Sequence, residues 1–465
     1  MLRKHLSLAM LAACTPAAAG TVTVNVGGDP AGAGNCPTSC SLRQAIAHAV
    51  AGDNIVFNPV VASPINLAHG ELLVGKALTI QGPGAAKLTV SAQNLSRVLN
   101  VSSSHLVLSN VTLADGAVVG TNGTDSVAAA AAKGGCVSVA SGASLTLDHV
   151  AVLHCLAQGG GGANGQMGLP GYCTPIDNPP TMYTCTSGGD GSPGGSGGPA
   201  YGGAIFADGA LTLTHSSVVN GNAKGGGGGL GGYGGLADPR GGEDGLDASP
   251  GDGAPALGGA IYATPTASLH IVNSTITSST ATGGDGASST GVDGYGGDAR
   301  GGLIGSQATV ANVEFSTLTN GVVNGGGSFA GILNGKTYGS GIWTAATTQL
   351  LSSIIVGTQS GVALCDGGVS AVVGSANLSE DTSCSGFTLH ATFAQTLLPL
   401  DANTTPWPGY VPVSYSPVID AAATCKDILS QVVTTDQHDT PRPQSTKCDL
   451  GAIEWRDHIF SSGFE

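Results

Sequence analysis

An internal repeat of about 22–24 residues constrains the fold of this chain more than any other feature. Four copies that open on a Gly-Gly pair can be aligned directly, and they begin at Gly134, Gly202, Gly258 and Gly301. Weaker copies begin at Ser104 and Gly339. Each copy holds three short strand-like runs separated by Gly, Asn or Ser, and none is long enough to return as a two-residue hairpin. The repeat therefore predicts an all-β fold, a parallel β-helix in which every copy forms one coil.

Stacked coils place equivalent residues in columns, and the alignment predicts three of them. Two apolar columns are expected to fill the interior: one is Leu147, Leu213, Ile271 and Val313, and the other is Val152, Val218, Ile276 and Leu318. The third column is polar and consists of Asn110, His149, His215 and Asn273. We interpret it as a ladder of stacked side chains at a turn. The alternative for the two histidines is a metal or acid–base site, with Asp148 beside the first of them.

Glycine supplies 77 of the 465 residues, whereas charged residues supply only 10%. Because hydrophobic residues reach 41%, the chain lacks the low hydrophobicity and high charge of a disordered protein. Glycine-rich inserts lie between the coils, at about 158–200, 224–257 and 283–300. They leave the repeat at the same point, so we expect them on one side of the solenoid. They are either solvated loops or glycine strands packed side by side as extended threefold helices.

Aspartates in the second and third inserts are the candidate metal ligands. These residues are Asp244, Asp247, Asp252, Asp285, Asp293 and Asp298. Glycine repeats with aspartates are typical of calcium-binding nonapeptide arrays, but the strict GGxGxDxUx register is not kept here. Calcium is therefore the one cofactor that the sequence suggests. We favour the interpretation that these aspartates have a structural role in the inserts.

The formal charge of −15 argues against several classes of partner. The fifteen cationic residues are scattered singly, so no basic patch exists to neutralise the phosphates of a nucleic acid. An acidic polymer such as pectate would also be repelled unless a metal ion intervened.

The first 19 residues are typical of a secretion signal. Arg3 and Lys4 precede an apolar stretch over 6–13, and the alanines at 17–19 offer a cleavage site. A bacterial lipoprotein signal with an acylated Cys14 is the alternative. No second apolar stretch of about twenty residues follows, so the sequence predicts no transmembrane helix.

Ten cysteines remain after Cys14 is set aside, an even number suited to disulfides in an oxidising compartment. Sequence alone leaves their connectivity open, but they fall into sequential couples that favour local pairing. The couples are Cys36 with Cys40, Cys136 with Cys155, Cys173 with Cys185, Cys365 with Cys384, and Cys425 with Cys448. Metal-ligand spacings of the C-x-x-C type are missing, which argues against a structural zinc site.

One amphipathic helix is predicted near the front of the chain. Ser41 and Gln44 have the spacing of a capping box, and Gly52 is the expected stop. The inward face is expected to hold Leu42, Ala45, Ile46 and Ala49, with Arg43, Gln44 and His48 in water. Such a helix suits a lid over the open end of a solenoid, where apolar residues and strand edges need cover.

Both ends of the chain resemble known families. The segments CSLRQAI (40–46), GDNIVF (52–57) and LTIQGPG (78–84) resemble the CSLREA domain at the front of many secreted bacterial parallel β-helix proteins. The segments SPVIDAA (416–422), TDQHDTPRP (435–443) and CDLGAIE (448–454) look like the choice-of-anchor Q type of ending, although His438 and Asp439 stand where Arg and Gly are common. The resemblance implies a secreted right-handed β-helix similar to polymorphic outer-membrane proteins.

Five regions follow from the repeat and the resemblance together. They are a signal peptide (1–19), an N-terminal cap with a short helix (20–70), parallel β-helix coils with glycine-rich inserts (71–415), a choice-of-anchor Q-like region (416–454) and a short tail (455–465).

The expected function is that of a secreted or cell-surface bacterial protein, monomeric and without catalysis, which binds glycans or other surface polymers. Tyr201, Tyr233, Tyr262 and Tyr295 stand near the insert borders, where they serve either glycan stacking or structural packing. The alternative is a calcium-dependent polysaccharide lyase or glycoside hydrolase with its site on the coil face. Arg43, Arg97 and Arg300 are isolated in sequence, and no catalytic motif occurs, so no catalytic residue is assigned.

Overall fold

The computed structural model describes residues 19–32, 34–177, 182–289, 291–357, 359–400 and 408–456. The predicted signal peptide up to residue 18, including Cys14, and most of the predicted tail lie outside the described residues. Within the described part, all long ladders are parallel and pair each repeat with the next. Parallel strands joined by such crossovers wind right-handed, and the fold is the predicted right-handed parallel β-helix.

The coils form four ladders, which we number in chain order within a repeat. Ladder 1 comes just before the opening glycine of the repeat, and ladders 2, 3 and 4 follow it. Ladder 1 consists of Ala132–Lys133, Ala200–Tyr201, Ala256–Leu257, Ala299–Arg300 and Thr337–Tyr338. Ladder 2 consists of Leu72–Val74, Leu99–Val101, Val137–Val139, Ile205–Ala207, Ile261–Ala263 and Ile304–Ser306. Ladder 3 consists of Thr21–Val24, Asn54–Phe57, Leu78–Gln81, His105–Ser109, Ser144–Asp148, Ala210–Thr214, Ser268–Val272 and Val310–Glu314. The long strand Ile342–Leu351, which pairs with Cys365–Ala371, joins ladders 2 and 3.

Ladder 4 runs along the remaining side of the coils. It consists of Ile65–Asn66, Thr89–Ser91, Thr112–Ala114, Ala151–Gln158, Ser217–Lys224, Thr275–Thr277, Thr317–Thr319, Ile354–Val356, Leu378–Ser379 and Leu389–His390. The strands Ala117–Val119, Thr280–Thr282 and Val322–Asn324 extend the same sheet. Two antiparallel hairpins, Cys173–Pro175 with Tyr183–Cys185 and Ser288–Ser289 with Val292–Asp293, lie in the inserts. The described helices are Leu42–His48 and Phe393–Thr396, and neither is long and apolar enough to cross a membrane.

Both predicted apolar columns lie inside the solenoid and in register. Leu147 pairs with Leu213 in ladder 3, Leu213 with Ile271, and Ile271 with Val313. The second column runs through Val152 and its partners in ladder 4 in the same way. All eight side chains are fully buried, so the prediction of two interior columns is confirmed.

The turns between ladders require left-handed backbone. At the turn from ladder 3 to ladder 4, Asn110, His149, His215 and Asn273 all have φ between 46° and 58°, and the rings of His149 and His215 stack with centroids 4.7 Å apart. Asn is enriched several-fold in this conformation, as is His. The predicted polar column at this turn is therefore confirmed, and stacking within it is observed between His149 and His215.

The corner between ladders 1 and 2 is made by a glycine in the same conformation. Gly202 has φ 63°, and a Cβ added there would lie 2.0 Å from the backbone oxygen of Ile205. Any side chain would therefore force the corner open, which explains why the repeats open on glycine.

The glycine-rich inserts form extended threefold helices that pack on one another. Backbone amides of Gly162, Gly165 and Gly168 bond to carbonyls of the second insert at 2.7–2.8 Å, one bond every third residue. This is the period of a polyproline-II helix. A Cβ added at Gly165 would lie 1.9 Å from the oxygen of Ser192, so the close packing depends on glycine. Of the two predictions for the inserts, the packed threefold helices are confirmed.

The helix Leu42–His48 has the predicted capping box, because the amide of Ser41 donates to Oε1 of Gln44 at 3.0 Å and Gln44 donates its own amide to the Ser41 hydroxyl. Two details of the prediction are wrong. The helix ends at His48 with Ala49 as C-cap, so Gly52 serves a turn further along. Gln44 is buried, because closing the capping box turns its amide away from water.

The C-terminal segment 408–456 lies along ladder 4. Thr275 donates its hydroxyl hydrogen to Oε1 of Gln437 at 2.6 Å, and the hydroxyls of Thr277 and Tyr410 lie 2.8 Å apart. Arg442 is completely buried in the segment and pairs with Glu454 at 2.8 Å. The outer face of ladder 4 is thus covered by the chain itself.

Five disulfides link cysteines that are neighbours in the cysteine order, which is the pairing that the sequence favours. The bonds are Cys36–Cys40, Cys136–Cys155, Cys173–Cys185, Cys365–Cys384 and Cys425–Cys448.

Candidate functional site

Two outward-facing columns meet at the glycine corner between ladders 1 and 2. The column of ladder 1 is Lys133, Tyr201, Leu257, Arg300 and Tyr338. The column of ladder 2 is Ser138, Phe206, Tyr262, Gly305 and Trp343. Because the corner itself carries no side chains, the two columns face each other across it.

The aromatic side chains of these columns pack mainly against one another. The rings of Tyr201 and Tyr262 have centroids 5.0 Å apart, and those of Phe206 and Tyr262 are stacked at 6.1 Å. Phe206, Tyr262 and Trp343 are buried, whereas Tyr201 is only partly buried. Tyr262 therefore has the structural role that the sequence left open, and Tyr201 remains accessible to a ligand.

A cavity of about 450 Å³ opens where these columns meet the second and third inserts. We call it the tyrosine pocket, and its side chains are those of Tyr201, Asp252, Pro255, Leu257, Tyr262, Tyr295, Asp298, Arg300 and Gln307. Tyr295 is 60% exposed at its edge, and the remaining wall is the glycine backbone of the inserts. Its volume and its mixture of apolar and polar groups suit a small organic ligand or one residue of a polymer.

Arg300 brings positive charge to the tyrosine pocket. Its guanidinium carbon lies 4.9 Å from the ring centre of Tyr338 and 5.1 Å from that of Trp343, and Nη2 donates to Asp298 at 2.9 Å. The Nε atom is buried and has no hydrogen-bond acceptor among the described residues. The rings of Tyr338 and Trp343 therefore hold the guanidinium at the wall of the pocket, where its charge is partly offset by Asp298.

The two carboxylates of the pocket are held by backbone amides. Asp252 accepts the amide hydrogen of Tyr295 at 2.8 Å, and Asp298 accepts that of Lys336 at 2.9 Å. These bonds fix the carboxylates against the insert backbone and leave part of their acceptor capacity for a ligand.

Burial affects two of the phenols in the pocket. It raises the pKa of Tyr201 above its ordinary value and raises that of Tyr262 to about 12. Both hydroxyls are therefore hydrogen-bond donors at neutral pH.

The other four calcium candidates lie elsewhere in the inserts and also accept backbone hydrogens. Asp244 and Asp247 accept from Ala237 and Gly234, and Asp285 and Asp293 accept from Gly327 and Ala330, at 2.6–2.8 Å. The six aspartates thus cap amides of the glycine helices. Among the described residues, none of them belongs to a group of three metal-ligating side chains. Calcium binding by these residues stays a prediction.

A larger cavity of about 620 Å³ lies in the C-terminal segment, lined by side chains that include Leu398, His438, Trp455 and Arg456. Its neighbours in sequence, 401–407 and 457–465, lie outside the described residues, and we build no site on it.

Sequence reasoning singled out most of the tyrosine pocket but gave its residues separate meanings. It named Tyr201, Tyr262 and Tyr295 as aromatics at insert borders, and Asp252 and Asp298 as calcium candidates. It missed Leu257 and Gln307. The aligned repeats held a usable signal, because the residue before the opening glycine of each repeat is Lys133, Tyr201, Leu257, Arg300 or Tyr338.

Comparisons with known proteins add little to this geometry. No protein-family model and no curated protein matches the chain. The resemblance of its ends to the CSLREA and choice-of-anchor Q families therefore stays a prediction. Among solved structures, the chain is similar to pectate lyase Pel9A at 12% identity, over 94% of this chain and 96% of that one. The TM-score is 0.34, so we derive nothing from this similarity.

Proposed function

We propose that the chain is a secreted or cell-surface bacterial β-helix protein that binds a neutral glycan in the tyrosine pocket without chemical turnover. One observation carries the proposal: a cavity of about 450 Å³ places the accessible rings of Tyr201 and Tyr295 beside the carboxylates of Asp252 and Asp298.

A sugar ring fits the chemistry of this pocket. Sugars present an apolar face of C–H groups that packs on aromatic rings, which Tyr201 and Tyr295 supply. Their hydroxyls donate and accept hydrogen bonds, which matches the carboxylates of Asp252 and Asp298 and the guanidinium of Arg300.

A neutral glycan fits better than an acidic one. The pocket contains two carboxylates and one guanidinium, which is already paired with Asp298. The whole chain carries a formal charge of −15, so a polyanion would be repelled at long range.

An enzyme is the second candidate, because two carboxylates and an arginine do share one cavity. Glycoside hydrolysis needs a protonated carboxyl as acid, and lyase chemistry needs an unprotonated base. Here both carboxylates accept hydrogen bonds from backbone amides, and the guanidinium is ion-paired with Asp298. These contacts favour binding over proton transfer.

Secretion and the division of the chain belong to the same proposal. Five disulfides suit an oxidising compartment, and the sequence of residues 1–19 suits export. We retain the cap (20–70), the coils (71–415) and the C-terminal region (416–454) as regions of one monomer, with the coils presenting the pocket.

Affinity electrophoresis of the purified protein tests the proposal, with xylan, mixed-linkage β-glucan, galactomannan and polygalacturonate in the gels. We expect retardation by at least one neutral polysaccharide and none by polygalacturonate. Tyr201→Ala and Tyr295→Ala should each weaken binding about fivefold, because one ring stack is worth about 1 kcal/mol. Tyr233→Ala is the matched control, since this exposed tyrosine lies in an insert outside the pocket.

Prolonged incubation with the same polysaccharides separates binding from catalysis. We expect no new reducing ends and no unsaturated uronate, with or without calcium. Product formation that Asp252→Asn abolishes would overturn the non-catalytic proposal and establish the enzyme.

A further inference from the structure

A second cluster of polar side chains lies away from the tyrosine pocket, at the turn between ladders 3 and 4. Oδ1 of Asp148 lies 3.1 Å from Nδ1 of His149 and 3.2 Å from Nδ1 of His215. One ligand atom from each of the three residues falls within 4.8 Å of the others. It is the one group of this kind among the described residues.

The C-terminal segment fixes the far side of both imidazoles. Nε2 of His149 lies 3.0 Å from Oδ1 of Asp439, and Nε2 of His215 lies 3.3 Å from the hydroxyl of Thr435. A carboxylate on the outer nitrogen of a histidine is the usual support of a metal ligand, because it orients the ring and makes the inner nitrogen more basic. The two Nδ1 atoms are thereby directed at the same carboxylate oxygen.

The backbone also holds the two histidines in place. Both have left-handed φ values, 55° and 47°, and stack in consecutive coils with an interplanar angle of 12°. The side chains of His149 and His215 are 16% and 20% exposed, and that of Asp148 is 38% exposed. The cluster is therefore ordered by packing and still open to solvent on one side.

We propose that Asp148, His149 and His215 form a binding site for a divalent transition metal ion of the zinc class. Ligands of a tetrahedral zinc ion stand about 3.3 Å apart, given bonds of about 2.0–2.1 Å. Two of the three separations, 3.1 and 3.2 Å, are close to this value, and the third lies within 4.8 Å. The two stacked rings must therefore move toward a common point when the ion binds.

The ligand set selects the metal. Two imidazole nitrogens and one carboxylate suit zinc and its transition-metal neighbours, whereas calcium takes oxygen ligands. Three protein ligands leave a fourth position, which water fills.

The test is zinc titration by calorimetry on the full secreted chain, after treatment with a chelator. We expect one zinc per chain for the wild type and at least about hundredfold weaker binding for His149→Asn and His215→Asn. Asparagine suits these positions because Asn110 and Asn273 occupy the same column with the same backbone. Cobalt(II) provides a second measurement, since a tetrahedral site gives intense visible bands.

His154→Asn is the control. His154 also has left-handed φ, 54°, but its side chain is 59% exposed and lies outside the cluster. The His154→Asn variant should bind zinc like the wild type. Absence of zinc binding in the wild type would overturn the proposal. So would binding that both cluster variants retain, because it would place the ion elsewhere. Circular dichroism of the variants separates loss of the site from loss of the fold.

Discussion

Two faces of the same solenoid differ in what covers them. On ladder 4 the outward residues are small and hydroxylic, such as Thr275 and Thr277, and the chain's own C-terminal segment bonds to them. At the corner of ladders 1 and 2 the outward residues are large and aromatic or cationic, and a cavity remains beside Tyr201 and Arg300. We call these the closed face and the open face. We interpret the closed face as a structural surface, and our proposal places the ligand on the open face.

The closed face depends on a buried ion pair. Arg442 is fully buried, pairs with Glu454 and donates to the carbonyls of Asp449 and Gly451. Arg442→Met leaves an unpaired buried carboxylate, so we expect the free energy of unfolding to fall by about 3–5 kcal/mol. Chemical denaturation measures this loss. The double variant with Glu454→Met should recover most of it, and a loss below about 1 kcal/mol in the single variant would show that the segment is not structural.

Two tyrosines of the open face should separate stability from binding. Tyr262 is 5% exposed, and Tyr262→Ala should cost about 2–4 kcal/mol by leaving a cavity among the aromatic side chains. Tyr201 is partly exposed, so Tyr201→Ala should lower stability by less but weaken glycan binding. Thermal melts and affinity gels on both variants measure the two effects. Equal losses of stability in the two variants would contradict the distinction between a packed Tyr262 and an accessible Tyr201.

A single hydroxyl on the closed face should have a smaller effect. Thr277→Val removes the contact with the Tyr410 hydroxyl, 2.8 Å away, without changing the size of the side chain. We expect a loss of about 1 kcal/mol in chemical denaturation. Thr212→Val, at a partly exposed position of ladder 3, is the control and should change stability by less. Similar values for the two variants would contradict specific docking of the segment.

Calcium should have the smallest effect. The six insert aspartates already accept backbone hydrogens of the glycine helices or of the segment beside them. We therefore expect millimolar calcium to shift the melting temperature by less than about 1 °C, the shift of a few tenths of a kcal/mol at this chain length. A clear rise in the melting temperature that Asp285→Asn and Asp293→Asn abolish would show that these aspartates bind calcium.

The fold could be predicted from the sequence because each coil repeats the same local rules. Apolar residues recur at interior positions such as Leu213, and residues that tolerate left-handed backbone recur at turns such as Asn273. The end of the first helix was harder to predict from the sequence. Gly52 is a good stop signal, but Ala49 already leaves the helical conformation. Local propensity decides the element, and the packing of the following turn decides its boundary.

The tyrosine pocket could not be assembled from sequence. Its ladder residues come from different coils, and Asp252 and Tyr295 come from different inserts. Their proximity depends on the register between glycine helices, and a run of glycines carries almost no information on register. The complete surroundings of the His149–Asp148–His215 cluster could not be predicted either, because Asp439 reaches the cluster only after the C-terminal segment folds back along the solenoid.

Hydrogen exchange measured by mass spectrometry, with and without a neutral oligosaccharide that retards the protein, tests the distinction between the two faces most directly. We predict slower exchange in peptides that cover 252–257 and 295–300, which contribute to the tyrosine pocket, and no change along 435–442 on the closed face. Protection confined to 435–442, or none at saturating oligosaccharide, would contradict it.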